Sequence, residues 1–157
     1  MNDPYLDGTS RLVPGDAVAA ILRRQDGRYL MQLRDPKPEI FFPGHWGLFG
    51  GGIDPGEDEM QALLRELEEE LNLRVDAGAV RYFTRIDFDC AFAGHGRLFR
   101  SFYEVTVDDG AFANLRLNEG RRLEAFTGRE VLALEPVTPY DAFALWLHVQ
   151  QSRLMRE

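Results

Sequence analysis

Residues 51–73 read GGIDPGEDEMQALLRELEEELNL, and this stretch decides how the chain folds. Three glycines and Pro55 predict a tight turn, and Asp58 stands where its side chain can cap a helix through Gln61. If residues 59–71 form that helix, a rotation of about 100° per residue aligns five apolar side chains. That stripe must face a core, and it consists of Met60, Leu63, Leu64, Leu67 and Leu71.

The same stretch carries an unusual concentration of negative charge. Seven carboxylates fall within fourteen residues, and Arg65 is the only cation among them. Glu66, Glu69 and Glu70 would share one helix face, where like charges cost about 0.2–0.5 kcal/mol per pair. The helix dipole also disfavours acids in the last turn. A hard divalent cation such as Mg²⁺ or Mn²⁺ would offset this repulsion, whereas a solvated acidic face is the alternative interpretation.

These residues resemble the signature of the MutT-like Nudix hydrolases, in which a glycine, a glutamate and an Arg-Glu-aliphatic-x-Glu-Glu block recur at fixed spacing. The matching positions are Gly51, Glu57, Arg65, Glu66, Leu67, Glu69, Glu70, Asn72 and Leu73. Asn72 replaces the closing glycine, and asparagine tolerates the left-handed conformation found at helix C-termini. Upstream, residues 46–51 (WGLFGG) resemble the family's Trp-x-x-Pro-Gly-Gly approach, with Phe49 where proline is common.

The resemblance implies a fold and an activity. The family's fold is an α/β/α sandwich with a mixed β-sheet between helices. Its members use magnesium, or sometimes manganese, to split nucleoside diphosphates linked to another moiety. We therefore expect a small nucleotide-type phosphoanhydride as substrate and Mg²⁺ as cofactor, with Mn²⁺ as an alternative.

The resemblance also suggests roles for individual residues. Glu66, Glu69 and Glu70 would carry the metal ions. Glu57 and Arg65 resemble the pair that holds the loop and the helix in register, with Glu57 close enough to share the metal shell. Gly51 and Gly52 would form the backbone-exposed loop beside the substrate phosphates.

A further acid is expected from outside the signature. Glu119 resembles the position from which some members supply an extra metal ligand or general base, and an exposed loop glutamate is the equal alternative. Glu124 is a nearby competitor. Because Glu66 can also deprotonate the attacking water in this family, the general base stays open among these three residues.

Besides Gly51 and Gly52, two further residues are candidates for substrate binding. Arg34 ends a predicted strand, and its guanidinium can bind phosphate oxygens in a two-pronged way, although a surface arginine is equally compatible. Tyr140 can offer an aromatic platform for a base. Members that remove oxidised guanine nucleotides read the base with an asparagine near the start of the last helix. This chain departs from that pattern, with Tyr140 and Asp141 in that neighbourhood.

Composition bounds the remaining expectations. With 157 residues, 45% hydrophobic and 28% charged, the chain is typical of one soluble globular domain. We expect an N-terminal arm over residues 1–14 and a single domain over residues 15–157. A net charge of −8 argues against a nucleic-acid polymer as partner. We expect a cytoplasmic location, because the chain has a lone cysteine, no apolar run of membrane length and no signal pattern. A homodimer is possible in this interpretation.

Alternation and turn residues outline the other elements. They predict strands over residues 16–24, 28–34, 79–90, 97–107 and 123–126, with another at Trp46. A proline-bearing loop should cover residues 35–43, irregular structure residues 108–117, and a short turn or helix residues 129–134. A terminal helix over residues 139–155 should pack through Phe143, Leu147, Val149 and Leu154. Together these elements predict an α/β fold with a mixed sheet.

Two other functions compete with hydrolysis. The first is a catalytically silent Nudix-fold module that binds a nucleotide, but such modules usually lose signature acids and this chain keeps them all. The second is an isoprenoid isomerase on the same fold, which needs a reactive cysteine. Cys90 falls among apolar residues of a predicted strand, where an inert thiol is expected.

Overall fold

A computed structural model describes residues 12–156, so most of the predicted arm over residues 1–14 lies outside the described residues. Residues 12–156 contain a mixed sheet, as the sequence predicts, but with seven strands where the sequence predicts six, because the strand predicted at Trp46 is divided in two. The strands are β1 (Ala17–Arg24), β2 (Tyr29–Leu33), β3 (Trp46–Gly47), β4 (Phe49–Gly52), β5 (Val80–Asp89), β6 (Arg97–Val107) and β7 (Arg122–Phe126). Their order is β3-β2-β1-β6-β5, with β4 added to β1 and β7 added to β2. Only β1 and β6 run parallel among these pairs.

Helices cover both faces of the sheet. They are α1 (Glu59–Leu71), α2 (Asp109–Ala113), α3 (Gly128–Ala133), α4 (Pro139–Val149) and α5 (Gln151–Leu154). Because successive side chains of a strand point to opposite faces, β1 contributes to two cores. Val18, Ala20 and Leu22 join the core beneath α1, whereas Ala19 and Ile21 join the core beneath α4. The fold is therefore an α/β/α sandwich.

The signature helix begins and ends where the sequence predicts. Asp58 accepts a hydrogen bond from the Gln61 backbone at 2.8 Å, and the Gln61 side chain accepts one from the Asp58 backbone at 2.9 Å. Asn72 closes the helix in the left-handed conformation at φ 55°. Leu63 and Leu67 are fully buried in the predicted stripe. Both ends of α1 are thereby fixed, and with them the position of its acids.

The prediction for residues 108–117 is wrong in part. Residues Asp109–Ala113 form the short helix α2, and the Asp108 side chain caps it by accepting a hydrogen bond from the Ala111 backbone at 2.7 Å. This helix has only five residues and is barely longer than one turn. Such a helix is too short to show a periodic pattern.

The terminal helix differs from the prediction in length and in packing face. It breaks at Gln150, and its buried side includes Ala144, Leu145 and His148. Phe143, predicted to pack, is 53% exposed. Leu154, also predicted to pack, is 56% exposed, whereas Val149 packs against the core as predicted. The buried face includes polar side chains that find hydrogen-bond partners, so apolar spacing alone identified only part of it. No helix within residues 12–156 is long and apolar enough to cross a membrane.

Candidate active site

A cavity of about 400 Å³ opens where α1, β4 and the segment before β7 meet. Glu66, Glu70 and Glu119 contribute acidic side chains to its lining, while Arg34 and Lys37 contribute basic ones. Gly51 also lines it. The fold thus brings five of the predicted site residues together: Arg34, Gly51, Glu66, Glu70 and Glu119.

Glu70 is the most buried acid of the cavity, with 4% of its surface exposed. The Gly50 backbone donates a hydrogen bond to its Oε2 at 2.9 Å, and the Gln32 side chain donates one to Oε1 at 3.4 Å. Burial is the main cause that raises the pKa of Glu70 to about 8. The two hydrogen bonds lower this pKa, whereas the charges of Glu66 and Glu119 raise it further. A negative charge at this position therefore lacks compensation within the protein.

Glu66 lies against the glycine loop. A Cβ atom on Gly51 would stand 2.4 Å from Glu66 Oε1, so only glycine leaves room for this carboxylate. Burial raises the pKa of Glu66, hydrogen bonding and charge from Arg65 oppose that rise, and Glu69 and Glu119 add to it. A side chain at position 51 would therefore displace the Glu66 carboxylate from its place against the loop.

Arg65 ties the loop to the helix. Its Nε and Nη2 donate to the two carboxylate oxygens of Glu57 at 2.6 and 2.9 Å, which is a two-pronged pair. Nη2 also donates to the Gly52 carbonyl at 3.1 Å, and Nη1 reaches Glu66 at 2.9 Å and Glu69 at 3.3 Å. The hydrogen bond from Arg65 lowers the pKa of Glu57 to about 2. These contacts support the register-holding role that the resemblance suggests for the pair.

Glu119 and Glu124 have different surroundings. Glu119 lines the cavity, and the preceding residue, Asn118, is hydrogen-bonded to the last turn of α1. Glu124 pairs with Arg122 on β7 and is not among the lining residues. Glu119 is therefore better placed than Glu124 to act on a group bound in the cavity.

The donor set fits a hard divalent cation. Glu66, Glu70 and Glu119 line one cavity, and carboxylate oxygens are the ligands that Mg²⁺ and Mn²⁺ prefer. Across residues 12–156, however, no three acidic, histidine or cysteine side chains stand close enough together to hold a metal ion in their present conformation. Arg65 currently holds Glu66 and Glu69 by hydrogen bonds, so these acids are kept together by a cation of the protein itself.

The predicted substrate-binding residues are split between the cavity and its surroundings. Arg34 lines the cavity, with its Nε donating to the Phe41 carbonyl at 3.0 Å. Tyr140 is not among the lining residues, and its ring stacks against Arg100, whose guanidinium carbon lies 4.6 Å from the ring centroid. The side chains of Glu57 and Glu69 also lie outside the lining, as does Gly52.

Sequence reasoning missed several residues of this region, including the acid Asp35, which also lines the cavity. Gln32 donates to Glu70 from inside β2, Asn118 bonds the end of α1, and Lys37 lines the cavity from the proline-bearing loop. A polar residue inside the apolar strand YLMQL was a usable signal for Gln32, since buried polar groups require partners. Neither Asn118 nor Lys37 carries a comparable local signal.

Comparisons with known proteins agree with this geometry. The family model described as NUDIX domain matches residues 13–154. Nucleoside triphosphatase NudI of Enterobacter sp. (strain 638) is 32% identical, over 58% of this chain and 80% of that protein. NudI of Escherichia coli O1:K1 / APEC is 47% identical over 51 residues, which span 32% of this chain but only 35% of that protein. The crystal structure of a MutT NUDIX hydrolase from Burkholderia pseudomallei has a TM-score of 0.67 and 26% identity, covering 86% of this chain and 98% of that one.

Proposed function

This chain belongs to the Nudix hydrolase family, and we propose that it uses a divalent metal to hydrolyse a phosphoanhydride bond in a nucleoside diphosphate linked to another moiety. The observation that carries the proposal is one cavity lined by Glu66, Glu70 and Glu119 together with Arg34 and Lys37. A cavity that holds both acids and cations suits a metal-bound polyphosphate, although Lys37 is paired with Asp35 at 3.6 Å. The two basic residues would bind the phosphate oxygens that the metal leaves uncovered.

Glu66 and Glu70 would hold the metal, with Glu119, Glu69 and Glu57 as the further candidates. Mg²⁺, or Mn²⁺ in its place, would polarise the phosphoryl group and lower the pKa of an attacking water. The Gly50 backbone fixes the orientation of the Glu70 carboxylate by its 2.9 Å hydrogen bond. Arg65 limits the repulsion among the acids while it holds the glycine loop against α1.

The general base is proposed to be Glu66 or Glu119. Both line the cavity, whereas Glu124 is engaged with Arg122. Burial, the largest influence on Glu66, moves the pKa of that carboxyl upward, toward the range in which a base works best near neutral pH. Glu119 is the more exposed of the two and can meet a water that enters from solvent.

A nucleoside triphosphate is the first substrate to test. The NudI relatives carry the name nucleoside triphosphatase, and the match to the Enterobacter protein covers 80% of its length. Tyr140 remains a candidate base platform, although it lies beside Arg100 rather than in the cavity lining. A Tyr140→Leu variant with an unchanged KM for every cleaved nucleotide would remove it from that role.

Incubation with Mg²⁺ and a panel of nucleoside triphosphates, nucleotide sugars and dinucleotides tests the proposal. We expect cleavage of at least one nucleotide class. Ion-exchange separation of the phosphate-bearing products would detect it. Glu69→Gln should lower turnover by orders of magnitude, while Glu124→Gln should leave it nearly unchanged. Nucleotide binding without cleavage across the whole panel would instead support the silent binding module.

Three sequence-based expectations accompany this proposal. We propose one domain over residues 15–157, a cytoplasmic location, and no nucleic-acid polymer or membrane as partner. Sedimentation of the purified chain would decide whether it forms a homodimer. The isomerase alternative needs Cys90, which is not among the residues that line the cavity.

A further inference from the structure

The last turn of α1 is capped by a segment that lies almost fifty residues later in the chain. Carbonyl groups at the end of a helix lack partners within the helix and must find them elsewhere. The Asn118 side chain donates to the Glu69 carbonyl and its backbone donates to the Glu70 carbonyl, both at 2.8 Å. The Arg116 backbone donates to the Leu71 carbonyl at 3.0 Å. Asn118 is thus hydrogen-bonded to the main chain of Glu69 and Glu70, two of the predicted metal ligands.

The other side of the same segment is anchored to the sheet. The Gly120 backbone donates to Asp35 Oδ2 at 3.3 Å, and the Arg121 backbone donates to the Leu33 carbonyl at 2.8 Å. Gly120 has φ +84°, and a Cβ there would stand 2.8 Å from Gln32 Oε1. Glu119 therefore sits between two fixed neighbours, even though its own side chain is exposed.

We propose that Asn118 is a positioning residue that holds Glu119 in place to share a divalent cation with Glu66 and Glu70. Its two hydrogen bonds tie the backbone next to Glu119 directly to the backbone of Glu69 and Glu70. A loop that is already ordered loses less conformational freedom when its acid binds the ion. This inference rests on the proposed metal-dependent function and adds to it a residue outside the signature.

Binding of Mn²⁺, measured by the loss of the free-ion signal in electron paramagnetic resonance, tests the inference without substrate. Asn118→Ala should weaken Mn²⁺ binding by about tenfold, the lower end of what loss of an outer-shell partner costs. The matched control is Asn114→Ala. Asn114 is also exposed, and its side chain also donates to a main-chain carbonyl, that of Gly110 at 2.9 Å, but it does not line the cavity. Its loss should leave Mn²⁺ binding unchanged.

A double-variant comparison separates positioning from a general structural effect. If Asn118 acts through Glu119, then adding Asn118→Ala to Glu119→Gln should weaken Mn²⁺ binding and kcat no further than Glu119→Gln alone. Asn118→Gln, which keeps the amide, should bind Mn²⁺ more tightly than Asn118→Ala. Circular dichroism would confirm that each variant is folded.

Three results would overturn the inference. Additive losses in the double variant would mean that Asn118 only stabilises the end of α1. Unchanged Mn²⁺ binding in Asn118→Ala, with the wild-type chain binding normally, would refute the positioning role while leaving the proposed function intact. A wild-type chain that neither binds Mn²⁺ nor cleaves any nucleotide would refute both.

Discussion

Two buried acids on opposite faces of the sheet have very different surroundings. Asp141, 1% exposed, accepts hydrogen bonds from the Leu48 backbone at 3.0 Å, Thr138 Oγ1 at 2.7 Å and Arg100 Nε at 3.1 Å. Glu70, 4% exposed, has one backbone donor and a long bond from the neutral amide of Gln32. No cation of the described chain pairs with Glu70, and two other glutamates line the same cavity.

The difference separates an acid that is satisfied within the protein from the acid for which we propose a metal-binding role. A buried charge is costly unless it is paired and hydrogen-bonded. Asp141 meets that condition within the protein, since Arg100 neutralises it and three donors satisfy its oxygens. Glu70 does not, so near neutral pH its carboxylate form is favoured when a cation arrives from solution. The pKa of Glu70 is raised because its charge is buried without a cation of the described chain beside it.

The largest expected effect is on catalysis, in Glu70→Gln. If Glu70 ligates the metal directly, as we propose, its loss should lower kcat/KM by more than the roughly 10–100-fold that loss of an outer-shell partner costs. The metal-free variant should be no less stable than the wild type, because a neutral amide avoids the burial of a charge. Activity assays and urea unfolding without metal measure the two effects.

Glu68→Gln is the matched control for Glu70→Gln. It makes the same change on the same helix, at an exposed side chain paired with Arg74 at 2.8 Å. Turnover and Mn²⁺ affinity should stay near wild type there. Equal losses in both variants would show that acidity of the helix as a whole, and not ligation by Glu70, supports activity.

The next effect is on stability, in Asp141→Asn. Removing the charge leaves Arg100 buried and uncompensated, which should cost about 3–5 kcal/mol of unfolding free energy. Mn²⁺ affinity should be unchanged, because Asp141 does not line the cavity. Asp109→Asn, which removes the exposed partner of Arg24, should cost at most about 1 kcal/mol. A loss of Mn²⁺ binding in Asp141→Asn would abolish the distinction between the two acids.

A pH series sharpens the contrast further. The pKa of Glu70 is raised from its ordinary 4.5 to about 8, so folding favours the protonated form. The contribution of Glu70 to stability is therefore complete below pH 4.5 and is lost as pH rises toward 8 in metal-free protein. The wild type should lose stability relative to Glu70→Gln over this range in urea unfolding without metal. Saturating Mg²⁺, at about 100 times its Kd, should add about 2.7 kcal/mol to the wild type.

The sequence predicts most helices and strands of this molecule because its local signals agree with the global fold. Asp58, Gln61 and Asn72 mark the two ends of α1, and turn residues separate strands that alternate in polarity. The terminal helix was less predictable, since its buried face includes Asp141 and His148. Polar residues point inward there only because donors from distant parts of the chain meet them, such as the Tyr29 hydroxyl that contacts His148 at 2.7 Å.

Predictions about the site reach only as far as local spacing does. The helix period predicts that Glu66, Glu69 and Glu70 lie close together. It does not predict that Glu70 is buried while Glu69 is exposed. That difference depends on Gly50 and Gln32, which come from two other strands. The position of Glu119 depends on Asn118 and Asp35 in the same way. Long-range contacts of this kind leave no periodic trace in the sequence.

The smallest expected effect concerns Gln32, the neutral partner of Glu70. Its amide nitrogen also donates to the Leu48 carbonyl at 3.1 Å, so the 3.4 Å bond to Glu70 is the longer of the two. Gln32→Leu should therefore weaken Mn²⁺ binding by less than about tenfold, below the usual cost of losing an outer-shell partner. A loss as large as that of Glu70→Gln would show that Mn²⁺ binding needs Gln32 as much as it needs the Glu70 carboxylate. In that case the orientation of Glu70 would depend on a neutral side chain of the sheet more than on its backbone donor, Gly50.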